Sequence, residues 1–374
     1  MNHYRVIGLM SGSSLDGLDI AYCEFTYGNE AWNFKILQTE VVEFSAEGIL
    51  RIKSLPTSTA KEIAQAHTSL GNYFGKCVHE FIQKNSLQNK VDFIASHGHT
   101  IFHFPEKGFT TQIGNGAAIA AQTNLPVVCD FRSADMANSG QGTPIVPIGD
   151  KLLFADYKFC LNIGGIANIS CKTAAPPSLP EGEGQSQIVA FDICCANQIL
   201  NALANSFDKE YDAAGEIAAS GELNAELLEK LNAVKFCSLP FPKSLDNSFS
   251  RETILPLLEE FEISVEDKMR TYVEHIAVQI ANHIQRIVKK EKINLTSEDK
   301  ILVTGGGAFN TFLIERIKAQ AKLTIEIPNE ELVKFKEALV IAFMGVLRKR
   351  NEVNVLKSVT GARKDTCGGA VYLG

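Results

Sequence analysis

One local design occurs twice in this chain. Arg5-Val-Ile-Gly-Leu-Met-Ser-Gly-Ser-Ser-Leu-Asp-Gly-Leu-Asp-Ile-Ala-Tyr-Cys-Glu-Phe25 passes from an apolar stretch through a small polar turn into a second apolar stretch. Phe159-Cys-Leu-Asn-Ile-Gly-Gly-Ile-Ala-Asn-Ile-Ser-Cys171 does the same. Each reads as strand, tight turn, strand, and two copies this far apart point to an internal duplication, one per lobe. Gly12 and Gly17 open backbone conformations closed to residues with a side chain. Successive turn N–H groups and the hydroxyls of Ser13 and Ser14 can converge on one anion, as in phosphate-binding nests. Asp16 and Asp19 can hold a cation or its waters beside it. A plain hairpin with a polar tip is the alternative, and the duplication favours phosphate.

At 374 residues the chain is long for one core, so two lobes are expected. A net charge of −7 excludes a nucleic-acid surface, which needs a basic footprint. The nine cysteines, Cys23 to Cys367, show neither a disulfide framework nor a CxxC zinc pattern. Reduced thiols fit a cytoplasmic protein. The first apolar run is too short for a signal peptide, and none is long enough to span a membrane.

Along the chain, Trp32 to Ile36 alternates after a Gly28-Asn29 turn, which predicts a three-stranded antiparallel start. Thr59-Ala-Lys-Glu62 is a capping box opening a helix to about Asn85. Val91 to Ser96 is a strand with His97-Gly-His-Thr100 at its carboxyl end, a position that faces the ligand crevice of open α/β sheets. His-x-His suggests a metal, but no acidic or cysteine partner lies at ligand spacing. Asp130 and Arg132 end the strand Pro126–Phe131, either as site residues or as an ion pair. Gly140-Gln-Gly-Thr-Pro144 is a hinge candidate, and Lys172 to Gln187 reads as a loop. Asp192 follows the strand Ile188–Phe191, where it is either a general base or the N-cap of the next helix. Ile301 to Asn310 sets Gly305, Gly306 and Gly307 between a strand and a helix, a nucleotide-approach geometry. On the last long helix Glu337 lies in an apolar stripe, as a boundary residue or one that meets a polar ligand. No Walker-type phosphate loop occurs.

Two glycine hairpins, a strand-ending Asp and a late triple glycine, in this order, resemble the actin-like ATPase and sugar-kinase superfamily. The closer resemblance is to the anhydro-N-acetylmuramic acid kinase family and runs nearly end to end. It is carried by Gly8 to Asp19, Ser96 to Thr100, Gln112 to Gly114, Asp130 to Met136, Gly140 to Gly142 and Leu161 to Asn168. Phe191-Asp192, Pro242 to Ser244, Gly305 to Ala308, Glu337-Ala338 and Ser358 to Ala362 complete it. The resemblance implies an α/β fold of the duplicated ribonuclease H-like, actin-like kind, with an ATP cleft between two lobes. The lobes are expected at 1–138 plus roughly 345–374, and at 139–344. It implies a kinase that adds water to 1,6-anhydro-N-acetylmuramic acid, opens the anhydro bridge and transfers the γ-phosphoryl of ATP to the freed 6-oxygen. Asp192 matches the base. Gly12, Ser13, Ser14, Leu15, Asp16, Gly17, Leu18 and Asp19, with Gly164 and Gly165, match the phosphate site. Asp16 serves the Mg²⁺, and Gly305 to Gly307 lie against the nucleoside. His97, Arg132 and Glu337 match sugar contacts, and a homodimer is implied.

The chain departs from the family pattern at three places. Asp192-Ile-Cys-Cys-Ala-Asn197 replaces Asp-Thr-Gly-Pro-Gly-Asn, Lys243-Ser-Leu-Asp-Asn-Ser248 replaces Lys-Ser-Thr-Gly-Arg-Glu, and His99 replaces a glutamine. All three fall near the expected sugar, so a paralogue acting on another sugar and a non-catalytic actin-like ATP-binding protein are the competing readings. An NAD enzyme leaves both hairpins unexplained.

Overall fold

The computed structural model describes residues 2–12, 15–173, 187–246 and 248–374. Ser13, Ser14, Asn247 and residues 174–186 of the expected loop lie outside the described residues. The chain divides into two compact units, Met1–Leu153 with Phe335–Gly374, and Phe154–Lys334.

The first unit begins with an antiparallel meander of β1 (His3–Ser11), β2 (Gly17–Gly28) and β3 (Ala31–Glu43). Asn29 and Glu30, at φ 53° and 61°, make the β2–β3 turn with both central residues left-handed, which matches the twist of the flanking strands. Val6, Ile7 and Leu9 are fully buried, as suits a strand paired on both edges. The helix Ala60–Lys84 starts at the predicted capping box: the Thr59 hydroxyl accepts from Glu62 N–H, and the Glu62 carboxylate accepts from Thr59 N–H. It leads to β4 (Phe93–Phe104), β5 (Phe109–Ile113), an Asn115-capped helix Gly116–Thr123 and β6 (Val127–Cys129).

The second unit repeats this with β7 (Phe159–Ile163), β8 (Ile166–Thr173) and β9 (Gln187–Cys195), then the helix Val265–Lys290. There follow β10 (Lys300–Thr304), the helix Thr311–Ala321 and β11 (Thr324–Glu326). The long helix buries the predicted Tyr272, Ile276, Ile280 and Ile287 in this unit's core. Back in the first unit, β12 (Ala370–Tyr372) pairs antiparallel with β6.

The two sheets share one topology. Reading β3-β2-β1-β4-β6 against β9-β8-β7-β10-β11, the pairs are antiparallel, antiparallel, parallel and parallel in both. This is the duplicated α/β fold expected from the two hairpins.

The division of the chain falls at 153/154 and 334/335, whereas the sequence placed it at 138/139 and near 344/345. Residues 139–153 stay with the first unit because buried Asp135 ties the Gly140–Gly142 stretch down. Its Oδ2 accepts from Gly142 N–H at 2.8 Å, its Oδ1 accepts from the Thr360 hydroxyl at 2.7 Å, and Gln141 N–H donates to Thr360 O. The hinge candidate is thus part of this unit's packing. Buried Lys336, 2.7 Å from buried Asp150, and Ala338 against Gly8 do the same for the start of the last helix, Glu330–Lys349.

Candidate active site

In the second unit the strand registers line up one polar row. Thr304 on β10 is opposite Asn162 on β7, Asn162 is opposite Asn168 on β8, and Asn168 is opposite Asp192 on β9. Directly opposed residues share a face of the sheet, so four polar side chains cross it side by side. Asp192 is in mid-strand, and β9 runs on to Cys195. The helix Asn197–Ala204 has Ala196 at its N-cap with no side-chain bond, so Asp192 is not a helix cap. A bulge follows it directly: Cys194 pairs with Ala167 and Asp192 with Asn168, which leaves Ile193 as the extra residue. Such bulges re-aim neighbouring side chains. Ile193, Cys194, Cys195 and Ala196 are all 4% exposed or less, so the bulkier departures from the family pattern fill the core.

Asp192 Oδ2 accepts from the Ser244 hydroxyl at 3.0 Å and from Leu245 N–H at 2.8 Å. Burial pushes its carboxyl upward, while these two donors and the charge of Lys243 pull the other way. Lys243 itself is pushed down to about 8, mainly by burial, with its ammonium on Phe236 O and over the Phe236 ring.

Both glycine turns of this unit meet at the end of β7. The carbonyls of Gly164 and Gly165 accept from Asn197, Ala196 and Gln198 N–H, which fixes the turn on the next helix. Gly305 has φ 82°, and a Cβ there would lie 2.7 Å from Asn162 Oδ1; one on Gly307 would lie 2.3 Å from Ile163 Cγ2. Gly306 faces open space, its nearest neighbour being Asn197 Nδ2 at 3.6 Å, and Gly164 is similarly open. Gly306 is exposed and Gly164 half-buried, and at both an approaching ligand meets N–H and C=O groups instead of side chains.

In the first unit β1 ends at Ser11, and Leu15 N–H donates to Gly12 O across the turn with Leu15 at φ 62°. Leu15 and Leu18 bury their side chains in the core, and a Cβ on Gly17 would lie 2.6 Å from Val42 O. Asp16 is exposed beside this turn. The Asp19 carboxyl is pushed up to about 6 by burial and by the charges of Glu337 and Asp16.

β4 does not stop at Ser96. It continues through His97-Gly-His-Thr100 because its later residues pair with β5 after its earlier ones have paired with β1 and β6. Buried His97 donates from Nδ1 to Gly98 O at 3.0 Å and accepts on Nε2 from Arg132 Nε at 3.0 Å. Burial and the Arg132 charge hold it neutral, pushed down to about 3. Both ring nitrogens are engaged, so His97 orients Arg132. The guanidinium is pushed down to about 10 by burial, against the pull of Glu337, whose own carboxyl is raised by burial and lowered by Lys336 and Arg132. Asp130 accepts from the Ser133 hydroxyl at 2.5 Å, and no ion pair with Arg132 forms. His99, the residue in place of a glutamine, bonds Ser11 Oγ at 3.0 Å, next to the glycine turn.

Within each unit, then, the candidate residues converge: Asp16, Asp19, His97, Arg132 and Glu337 in the first, Asp192, Gly164, Gly165 and Gly305 to Gly307 in the second. The sequence reading missed Asn162, Asn168 and Thr304, although asparagines inside apolar strands are uncommon enough to signal a purpose. It also missed the Asp212–Gly215 loop. There Asp212 accepts from Ile217 and Ala218 N–H, and Gly215, at φ 79°, packs on Asn310 just beyond the triple glycine.

The family model described as anhydro-N-acetylmuramic acid kinase matches residues 4–374. An anhydro-N-acetylmuramic acid kinase of Photobacterium profundum is 31% identical over 382 residues, covering 98% of each chain. One of Sulfurovum sp. is 32% identical over 388 residues, covering 100% of each. Among solved structures, the activator of the 2-hydroxyisocaproyl-CoA dehydratase from Clostridium difficile with bound ADPNP has a TM-score of 0.41 at 12% identity, covering 92% of this chain and 97% of that one.

Proposed function

The chain belongs to the anhydro-N-acetylmuramic acid kinase family, and from that premise we propose that it turns 1,6-anhydro-N-acetylmuramic acid, water and ATP into N-acetylmuramic acid 6-phosphate and ADP, a step of cell-wall recycling. Asp192 takes a proton from the water that attacks the anomeric carbon. The bond from that carbon to the 6-oxygen breaks, and the 6-oxygen bonds to the γ-phosphorus as ADP leaves. Most of the acceleration is positioning and charge stabilisation. The turns Gly12–Asp19 and Gly164–Gly165 bind the phosphates, Gly305 to Gly307 the nucleoside, and Arg132 and Glu337 the sugar, with His97 behind Arg132.

Asp16 and Asp19 suit Mg²⁺. Both are oxygen donors, as this hard cation requires, and Asp19, raised to about 6 partly by two neighbouring carboxylates, gains by a cation's arrival. Bound there, the cation would neutralise phosphate charge.

The observation that carries the reading is the setting of Asp192. It lies beside a bulge, at the end of a row of amides, with the residues that replace the family's glycines turned into the core. That supports an unchanged acceptor over a different sugar. The nine free cysteines support a reducing, cytoplasmic setting, and no helix among the described residues is long and apolar enough to cross a membrane. A homodimer is part of the proposal on the family's account.

The test is ADP release from Mg-ATP on adding the anhydro sugar, with the product analysed for a 6-phosphate. Sugar-dependent ADP release is expected. ATP binding without release on this sugar, but with release on another, favours the paralogue; no release with any sugar favours the non-catalytic protein.

A further inference from the structure

We infer that Ser244, together with the backbone N–H of Leu245, selects which oxygen of Asp192 acts as the base, making Ser244 a positioning residue of the reaction. The inference rests on the proposed role of Asp192. Both donors reach the same oxygen: Ser244 Oγ lies 3.0 Å and Leu245 N 2.8 Å from Oδ2. The Asp192 N–H in turn donates to Lys243 O at 3.0 Å, so residues 243–245 are strapped to β9 at the reacting position. Among the described residues no donor reaches Oδ1. Two hydrogen bonds spend the lone pairs of Oδ2 and fix the carboxylate plane. Oδ1 is left as the basic oxygen, and it receives the water's proton as the water oxygen bonds to the anomeric carbon.

The hydroxyl has a second effect. A donor to the ionised carboxylate favours that form, so Ser244 keeps Asp192 ionised, and thus competent, at lower pH than burial alone would allow. The other titratable groups facing Asp192 are Lys243, Cys194 and Cys195, of which Lys243 is the cation. Ser244 is an exposed loop residue whose hydroxyl has no other partner among the described residues, so its replacement can be read without unfolding the unit.

The test measures kcat for ADP release against pH, with saturating Mg-ATP and anhydro sugar, for wild type, Ser244→Ala, Ser244→Thr and Asp192→Asn. Ser244→Ala is expected to lower kcat about tenfold, well short of the ~10²–10⁴-fold expected for losing the base. Its acid limb should move to higher pH, with KM for ATP unchanged, and Ser244→Thr, which keeps the hydroxyl, should restore both. An unmoved acid limb in Ser244→Ala overturns the inference, whether kcat is normal or falls together with the melting temperature. If Asp192→Asn retains near-normal turnover, the base assignment falls and the inference with it. If Asp192→Asn is inactive and only the Ser244→Ala limb stays put, the base stands and the orienting role alone is lost.

Discussion

Asp19 is a carboxylate placed where an unliganded protein gains nothing from its charge. Burial comes first among the causes that raise it from 3.8 to about 6, followed by repulsion from Glu337 and Asp16. Between these values the folded chain holds a proton that the unfolded chain has already released. Its contribution to stability is therefore full below about pH 4 and lost as pH rises through about 6. Asp19→Asn is expected to abolish this decline. It should raise the stability of the ligand-free protein at pH 7 by about 1 kcal/mol, a figure discounted for the solvent that reaches the group, while weakening Mg-ATP binding. Urea denaturation of both proteins at pH 4.5 and pH 7, without nucleotide or Mg²⁺, measures the first effect and calorimetry the second. Equal stabilities at pH 7 would mean that Asp19 is already neutralised. At this scale the sequence exposed Asp19 and Asp192 because each interrupts an apolar strand. It named Ser244 only as part of the family-like stretch Pro242 to Ser244 and did not expose its contact with Asp192, because a loop hydroxyl meeting a carboxylate 52 positions away leaves no periodic trace. Nor did it show that His97 has both nitrogens taken, since that depends on Arg132 arriving from another strand end.

The elements repeat this division between what patterns reveal and what packing decides. The meander, the capping box and the long helices follow from alternation, caps and apolar stripes. The extent of β4 does not, since its continuation past Ser96 depends on β5 supplying a new partner. The triple-glycine turn was legible as three glycines, but their separate purposes were not. Gly307 is small because Ile163 occupies the space a Cβ needs, 2.3 Å away, whereas at Gly306 nothing in the protein demands a glycine. Gly307→Ala is thus expected to destabilise the fold by about 1–3 kcal/mol through overpacking. Gly306→Ala should leave the melting temperature near wild type and raise KM for ATP, because the open space it fills is the one proposed for the nucleoside. Thermal melts paired with ATP titrations separate the two. A Gly306→Ala protein that binds ATP normally would remove this turn from the nucleoside site.

At the scale of the molecule, one topology used twice yields two units with different chemistry. Opposite Asp19 on β2 stands Val41 on β3, whereas opposite Asn168 on β8 stands Asp192 on β9. The duplication thus gives each sheet a glycine turn between its first two strands, while the proposed base, Asp192, belongs to only one. The units also differ in how the chain supplies them. The second is the continuous segment Phe154–Lys334, with its own core drawn from β7 to β10 and the Val265–Lys290 helix. The first needs Phe335–Gly374 as well. Its last helix sets Ala338 against Gly8 and Gly345 against Ala95, places the Phe343 ring tilted 5.4 Å from Phe25 and edge-on 5.0 Å from Trp32, and is followed by β12 on β6. Residues 154–334 produced alone are therefore expected to fold, with a cooperative thermal transition and dispersed amide resonances. Residues 1–153 alone should not, because one face of their sheet keeps apolar surface, at roughly 25 cal/mol per Å², exposed to water. Adding residues 335–374 as a separate chain should restore cooperative melting to residues 1–153. If residues 1–153 melt cooperatively by themselves, the C-terminal segment is an accessory to the first unit and not part of its core.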